Sequence, residues 1–226
     1  MRFWRQTVTI MHKDLRAELR SKEAINASFS FALVILLLFS FAFEPSSDMT
    51  VELSGGLLWI VFAFAGALIL NRSFARELPN DCLDALIAAP LPGAALFLGK
   101  ALSNLMLLMA VELVCFPVFG IFYNVNWTRQ FWPLLLVVAL GTWGFTVIGT
   151  MFSALTVNIR LREVMLPMLV YPTMIPCLMA AMSLTGSLVA GEPIDSGQMV
   201  WMKFLVGFDV IFTSLAVMLV EIVLVG

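Results

Sequence analysis

The chain has 226 residues, of which 61% are hydrophobic and only 12% charged, with a formal net charge of −2. Its mean hydropathy of +0.99 lies far above that of soluble domains, which run at roughly 45–50% apolar and about 25% charged residues. That balance excludes a water-soluble enzyme, and the lack of a basic tract excludes a nucleic-acid binder. A polytopic membrane protein is expected, with residues 1–226 forming a single membrane domain.

Residues 1–25 are basic and amphipathic. Trp4, Val8, Met11, Leu15 and Leu19 recur at spacings of three and four, while Arg5, Thr9, Lys13, Arg16 and Arg20 fall on another side. This pattern predicts an interfacial helix, apolar stripe in the membrane and basic face toward anionic lipid headgroups. The basic region is too long for a signal peptide and further spans follow, so residues 26–43 are read as a retained first span. Hydropathy places five more at about 56–70, 101–122, 132–156, 165–189 and 200–225.

Lys and Arg set the orientation. With the N-terminus inside, eleven of the 13 basic residues are cytoplasmic, leaving Arg129 and Lys203 outside. Both termini are then cytoplasmic. The external segments (about 44–55, 123–131 and 190–199) are too short for a domain and carry Glu44, Asp48, Glu52, Glu192 and Asp195. Tyr123, Trp127, Trp132 and Trp201 at the same boundary suggest an aromatic belt.

Charges within spans mark function or packing. Glu112 in the third span and Asp209 in the sixth are open to two readings: acids facing each other or a polar cavity along a pathway, or hydrogen-bonding groups that fix helix packing. Pro117 in the third span, and Pro172 and Pro176 in the fifth, are read as helix breaks, since proline removes an N–H and frees a carbonyl. Gly141, Gly144 and Gly149 in the fourth span predict close helix approach.

Chemistry-bearing motifs are absent. The sequence has no GxxxxGK[ST] for binding ATP and no HExxH or GxSxG. Cys82, Cys115 and Cys177 form no CxxC pair or metal-ligand spacing, and the single histidine, His12, lies in the N-terminal segment, so the spans provide no histidine for heme ligation. No catalytic residue, metal site or directly bound cofactor is expected.

The most informative stretch is 71–100, the one sizeable polar insert between two apolar runs. Leu83, Leu86 and Ile87 give an apolar stripe at i, i+3, i+4; Asp81 is placed to cap a short helix and Asp84 lies in its first turn. Pro90 and Pro92 then stop it. A capped helix of two to three turns between spans two and three has the shape of a docking element.

Here the residues resemble a known family. Arg72-Ser73-Phe74, Glu77, Leu83-Asp84-Ala85-Leu86, Pro90-Leu91-Pro92 and Lys100 follow without a gap the R-x-F, acid, L-[DE]-x-L-x-x-x-P-x-P, basic pattern of the heme exporter protein B (CcmB) family. The one departure is Asp81, where that family usually carries glycine. The resemblance covers nearly the full length and implies an all-α integral membrane fold with six transmembrane helices, an N-terminal amphipathic interfacial helix and a cytoplasmic coupling helix, like the ABC-2 or type V exporters. It further implies a permease-like subunit whose Arg72, Phe74, Glu77, Asp81, Leu83, Asp84, Leu86, Ile87, Pro90 and Pro92 form the docking stretch for an ATP-binding subunit, CcmA. The other implied partners are CcmC, CcmD and the heme chaperone CcmE, with two copies of this chain per complex. Heme is implied as a possible substrate of the complex, ATP as bound by the partner, and the bacterial inner membrane as the location. Two alternatives stay open: a general ABC-2 permease exporting a lipid, polysaccharide or drug, and a non-transporting membrane scaffold.

Overall fold

The computed structural model describes residues 2–43, 48–79, 82–157 and 159–225. Eight helices follow in chain order among them: α1 (Arg2–Ser21), α2 (Glu23–Ala42), α3 (Asp48–Ser73), α4 (Cys82–Ala88), α5 (Gly93–Tyr123), α6 (Phe131–Thr156), α7 (Arg162–Ala190) and α8 (Ser196–Val225). Six of these (α2, α3, α5, α6, α7 and α8) are long and apolar enough to cross a membrane, and no strand occurs among the described residues. The protein is an all-α integral membrane protein.

Helix α3 is the centre of the bundle. It packs on α2, α5, α6 and α7, whereas α2 and α8 lie at the periphery. A continuous core runs from Leu36 on α2 through Trp59 and Phe62 on α3, Phe119 on α5, Phe145 on α6 and Leu184 on α7 to Leu205 on α8. Lipid is as apolar as this core, so burial alone gives little drive to associate, and small residues and polar bonds supply specificity. A Cβ built on Gly55 of α3 would meet the Met182 carbonyl and lie 2.7 Å from the Gly186 nitrogen, so the α3 and α7 backbones touch there. One turn on, the Trp59 indole N–H donates to Thr185 Oγ1 at 2.9 Å. Gly141 and Gly149 of α6 receive the Trp59 ring and the Leu70 side chain of α3, while Gly144 receives Asp209 of α8. The predicted close approach therefore exists, split between two faces of α6.

Side-chain hydrogen bonds also join further pairs. Ser28 Oγ donates to the Ala65 carbonyl (3.0 Å), Tyr123 OH to the Leu36 carbonyl (2.9 Å) and Trp143 Nε1 to Thr213 Oγ1 (3.0 Å). Tyr123 is thus core rather than aromatic belt: it is fully buried and ties α5 to α2. Trp132 is 76% exposed and suits the belt.

Three expectations need correction. The helices that carry the second and third expected spans begin before those apolar runs, at Asp48 and Gly93, because polar or small residues extend a helix beyond its apolar part. Pro117 does not break α5, and Pro167, Pro172 and Pro176 do not break α7. Pro117, Pro172 and Pro176 face outward, and the Thr173 hydroxyl beside Pro172 makes an i−4 bond to the Leu169 carbonyl at 2.9 Å. Finally, Glu112 and Asp209 do not face each other. Glu112 meets Thr142 and Asp209 abuts Gly144, and two residues along a helix of 3.6 per turn put these contacts on opposite sides of α6.

Candidate functional site

The loop between α3 and α5 and the N-terminal helix form one assembly. Helix α3 ends at Ser73, a 3₁₀ turn follows over Ala75–Glu77, and α4 runs for seven residues before Pro90 and Pro92. Pro92 is extended and precedes the first turn of α5, a position where a missing N–H is harmless. Asp81 lies outside the described residues, as do the side chains of Leu83, Asp84 and Ile87. Of the remainder of α4, Cys82, Ala85 and Ala88 are exposed and Leu86 is half-buried; Pro90 and Pro92 are exposed. Among the described residues α4 packs extensively on no other helix.

Beneath it sits a buried ionic anchor. Lys100 on α5 is fully buried, and its ammonium donates to Asp14 Oδ2 (3.1 Å), Glu77 Oε1 (3.0 Å) and the Ser73 carbonyl (2.9 Å). All three N–H directions are used, one of them on a carbonyl at the C-terminal end of α3 where cations are favoured. The same ammonium lies 4.9 Å from the centre of the buried Phe74 ring. Lys13 on α1 completes the group, 3.2 Å from Asp14 and 2.5 Å from Glu77. Two cations and two anions balance, as a buried cluster requires. Burial pulls the Lys13 ammonium down, but the Asp14 charge and the Glu77 bond outweigh it and hold Lys13 above its ordinary value.

Helix α1 therefore carries three faces, not two. Thr7, Ile10 and Glu18 turn inward with Asp14, and Gly99 of α5 is where they seat: a Cβ there would lie 2.8 Å from Ile10 Cβ and from the Thr7 carbonyl. Trp4, Val8 and Leu19 stay exposed as a second, apolar stripe, and Arg5, Lys13, Arg16 and Arg20 form the third. Glu18 is buried, ion-pairs with Arg76, and accepts the Ile25 N–H at 2.9 Å, which caps α2 just past the left-handed Lys22. Arg72 ion-pairs with Glu23 on α2. Gln6 Nε2 reaches the Pro90 carbonyl at 3.5 Å.

The predicted docking residues thus divide. Phe74 and Glu77 are interior and brace the base, Arg72 pairs at the surface, and Leu86 is half-buried while Pro90 and Pro92 are exposed. Sequence reasoning missed Lys100, Asp14 and Glu18 as anchoring groups. The available signal was a lysine set among small and apolar residues in Ala94–Leu107, a placement that demands a buried counter-charge.

Within the membrane region, Glu112 is fully buried, and the Thr142 hydroxyl lies 2.8 and 2.9 Å from its two carboxylate oxygens, joining α5 to α6. Asp209 is 5% exposed, and neither of its oxygens has a hydrogen-bond partner among the described residues. The pair forms no common site.

Comparison with known proteins gives a consistent result. The chain is 28% identical to heme exporter protein B of Rhodobacter capsulatus over 169 residues, covering 75% of this chain and 77% of that one. It is 28% identical to heme exporter protein B of Pseudomonas aeruginosa over 198 residues (88% and 87% covered) and 26% identical to that of Escherichia coli K12 over 196 residues (86% of each). Its residues 5–222 match the family described as CcmB protein, nearly the whole length. The chain belongs to the CcmB protein family.

Proposed function

We propose that this protein is the membrane permease subunit of an ABC-type complex for cytochrome c biogenesis, and that it acts in heme export or in release of a heme-loaded chaperone. The family membership and the names of its relatives support heme as the substrate of the complex. The chain has no P-loop, so ATP is bound by a partner of the CcmA type, and no catalytic residue is assigned here. CcmC, CcmD and CcmE complete the set, with two copies of this chain in the assembly. In this reading α1, α4 and both termini lie on the cytoplasmic side of a bacterial inner membrane, a topology supported by the distribution of basic residues, with the exposed Trp4, Val8 and Leu19 of α1 in the lipid interface.

One observation supports the coupling mechanism: a short helix that packs extensively on no other helix among the described residues adjoins a buried ionic cluster. An isolated helix of seven residues is marginal in water, so α4 is built to be held by a partner. In this reading the stretch Asp81–Pro92, with Leu83, Asp84, Leu86 and Ile87, seats in the ATPase, and Arg72, Phe74 and Glu77 keep its base fixed to α1 and α5. Force on α4 then passes to α3 and α5 together through Lys100, rather than being lost in a flexible loop. Glu112, bonded to Thr142, keeps α5 and α6 moving as a unit. Only a bistable bundle turns such a push into a change at the far face. The test is co-purification of the ATPase subunit with Leu86→Asp. Loss of the ATPase with the membrane subunit still monodisperse is expected; undiminished co-purification refutes docking through α4.

A further inference from the structure

We propose that a phospholipid with a primary-ammonium headgroup, such as phosphatidylethanolamine, is bound in a seam between α2 and α7, with α3 as its floor. Helices α2 and α7 both pack on α3 but make little contact with each other. Where the three meet at the α1 face lies a cleft of about 540 Å³ lined by Glu23, Asn71, Arg72, Arg76, Arg162 and Glu163. The lining is of mixed charge, three arginines beside two glutamates, which suits a zwitterionic headgroup better than a purely anionic one.

The residues below continue the shape of a lipid. On α2, Glu23, Ala27 and Phe31 stand one turn apart; on α3, Arg72, Leu68 and Phe64; on α7, Glu163, Pro167 and Tyr171. Each helix therefore carries a charge at the mouth and an aromatic ring eight residues inward, about 12 Å at 1.5 Å per residue. The three rings meet, Phe31 to Phe64 and Phe64 to Tyr171 both at 5.9 Å between centroids. Phe64 is 44% exposed although α3 is otherwise mostly interior, so the floor of the seam is open to a chain lying along it.

The cleft charges select the headgroup. Arg162 makes no ion pair among the described residues and is available to a phosphate, whereas Arg72 and Arg76 beside it are already paired with Glu23 and Glu18. A headgroup offering phosphate alone leaves Asn71 Oδ1, buried without a hydrogen-bond partner, unmatched and brings no cation to the exposed Glu163 carboxylate, which has no ion pair among the described residues. An ammonium supplies N–H donors to both. The quaternary head of phosphatidylcholine cannot, because it has no N–H.

The test uses the full chain in nanodiscs containing equal parts phosphatidylethanolamine and phosphatidylcholine, followed by native mass spectrometry of lipid retained on release. Retention of one phosphatidylethanolamine in strong preference to phosphatidylcholine is expected. Arg162→Gln should lower it roughly tenfold, the loss of one charged hydrogen-bonding group. Phe64→Ala should lower it several-fold, and Glu163→Gln should remove the preference between the two lipids. Gel filtration of each variant separates these effects from unfolding. Equal retention of both lipids, no retention, or retention untouched by Arg162→Gln and Phe64→Ala overturns the proposal. So does displacement by soluble glycerophosphoethanolamine or inorganic phosphate at millimolar concentration, which would make the seam irrelevant. Quantitative disulfide cross-linking of Phe64→Cys to a second copy, in a chain also carrying Cys82→Ser, would put protein where the lipid is proposed and overturn it as well.

Discussion

Replacing Lys100 by methionine removes the cation on which α1, α3 and α5 converge. The variant keeps the volume and the unbranched shape, so the loss is electrostatic. Asp14 and Glu77, with side chains only 15% and 12% exposed, then keep Lys13, whose own side chain is 42% exposed and partly hydrated, as their ion-pair partner, with the Arg76 charge nearby. Breaking a buried pair by deleting one partner costs about 3–5 kcal/mol, and the remaining Lys13 pulls that toward about 3 kcal/mol. The Ser73 carbonyl loses a donor in addition. If this energy holds α1 on α5, the population with α1 released rises roughly 100-fold. Limited trypsin digestion reads that directly, because Arg16 and Arg20 lie on the released helix and cleavage follows the open population when closing is fast. The double variant Lys100→Met/Glu77→Gln should recover part of the loss, since the orphaned anion is gone. A tryptic rate in Lys100→Met equal to that of the parent, with an unchanged gel-filtration profile, refutes the anchor.

Other changes separate packing from function. Gly55→Val should lower the detergent melting temperature sharply, a loss exceeding about 2 kcal/mol, because its new atoms meet the backbone of Met182 and Gly186; Gly56→Ala, with nothing within 4 Å, should not. Glu112→Gln should stay within about 0.5 kcal/mol of the parent, since an amide oxygen still accepts from Thr142, while Glu112→Leu strands that hydroxyl at about 1 kcal/mol. Thermal stability in detergent checks both, and full complementation by Glu112→Gln would assign Glu112 to packing. Pro172→Ala should leave stability within about 1 kcal/mol, since Pro172 faces outward in an unbroken helix; a large loss would show that the proline shapes α7.

The number of spans and the existence of α4 were legible because each rests on a local signal: a long apolar run, or a stripe followed by Pro90 and Pro92. The close glycine contacts of α6 were legible for the same reason. The anchor was not. Asp14, Glu77 and Lys100 are separated by 23 to 86 residues, and an amphipathic reading of α1 assigns every polar residue to solvent. Thr7, Asp14 and Glu18 fall between the apolar and basic faces, where only the position of α5 reveals a third contact. The prolines misled because a missing N–H frees one carbonyl without forcing a break, and Pro117, Pro172 and Pro176 face outward in continuous helices. Whether Glu112 and Asp209 could meet depended on the placement of α6 between them, which no pattern within α5 or α8 encodes.

The central claim is that this subunit serves cytochrome c maturation through α4. The most direct measurement is a heme-peroxidase stain of membrane proteins from a strain lacking this chain, restored with the parent or with Leu86→Asp. Covalent c-type heme should vanish in the deletion and return only with the parent. Persistence of c-type cytochromes in the deletion, or full restoration by Leu86→Asp, would contradict the account.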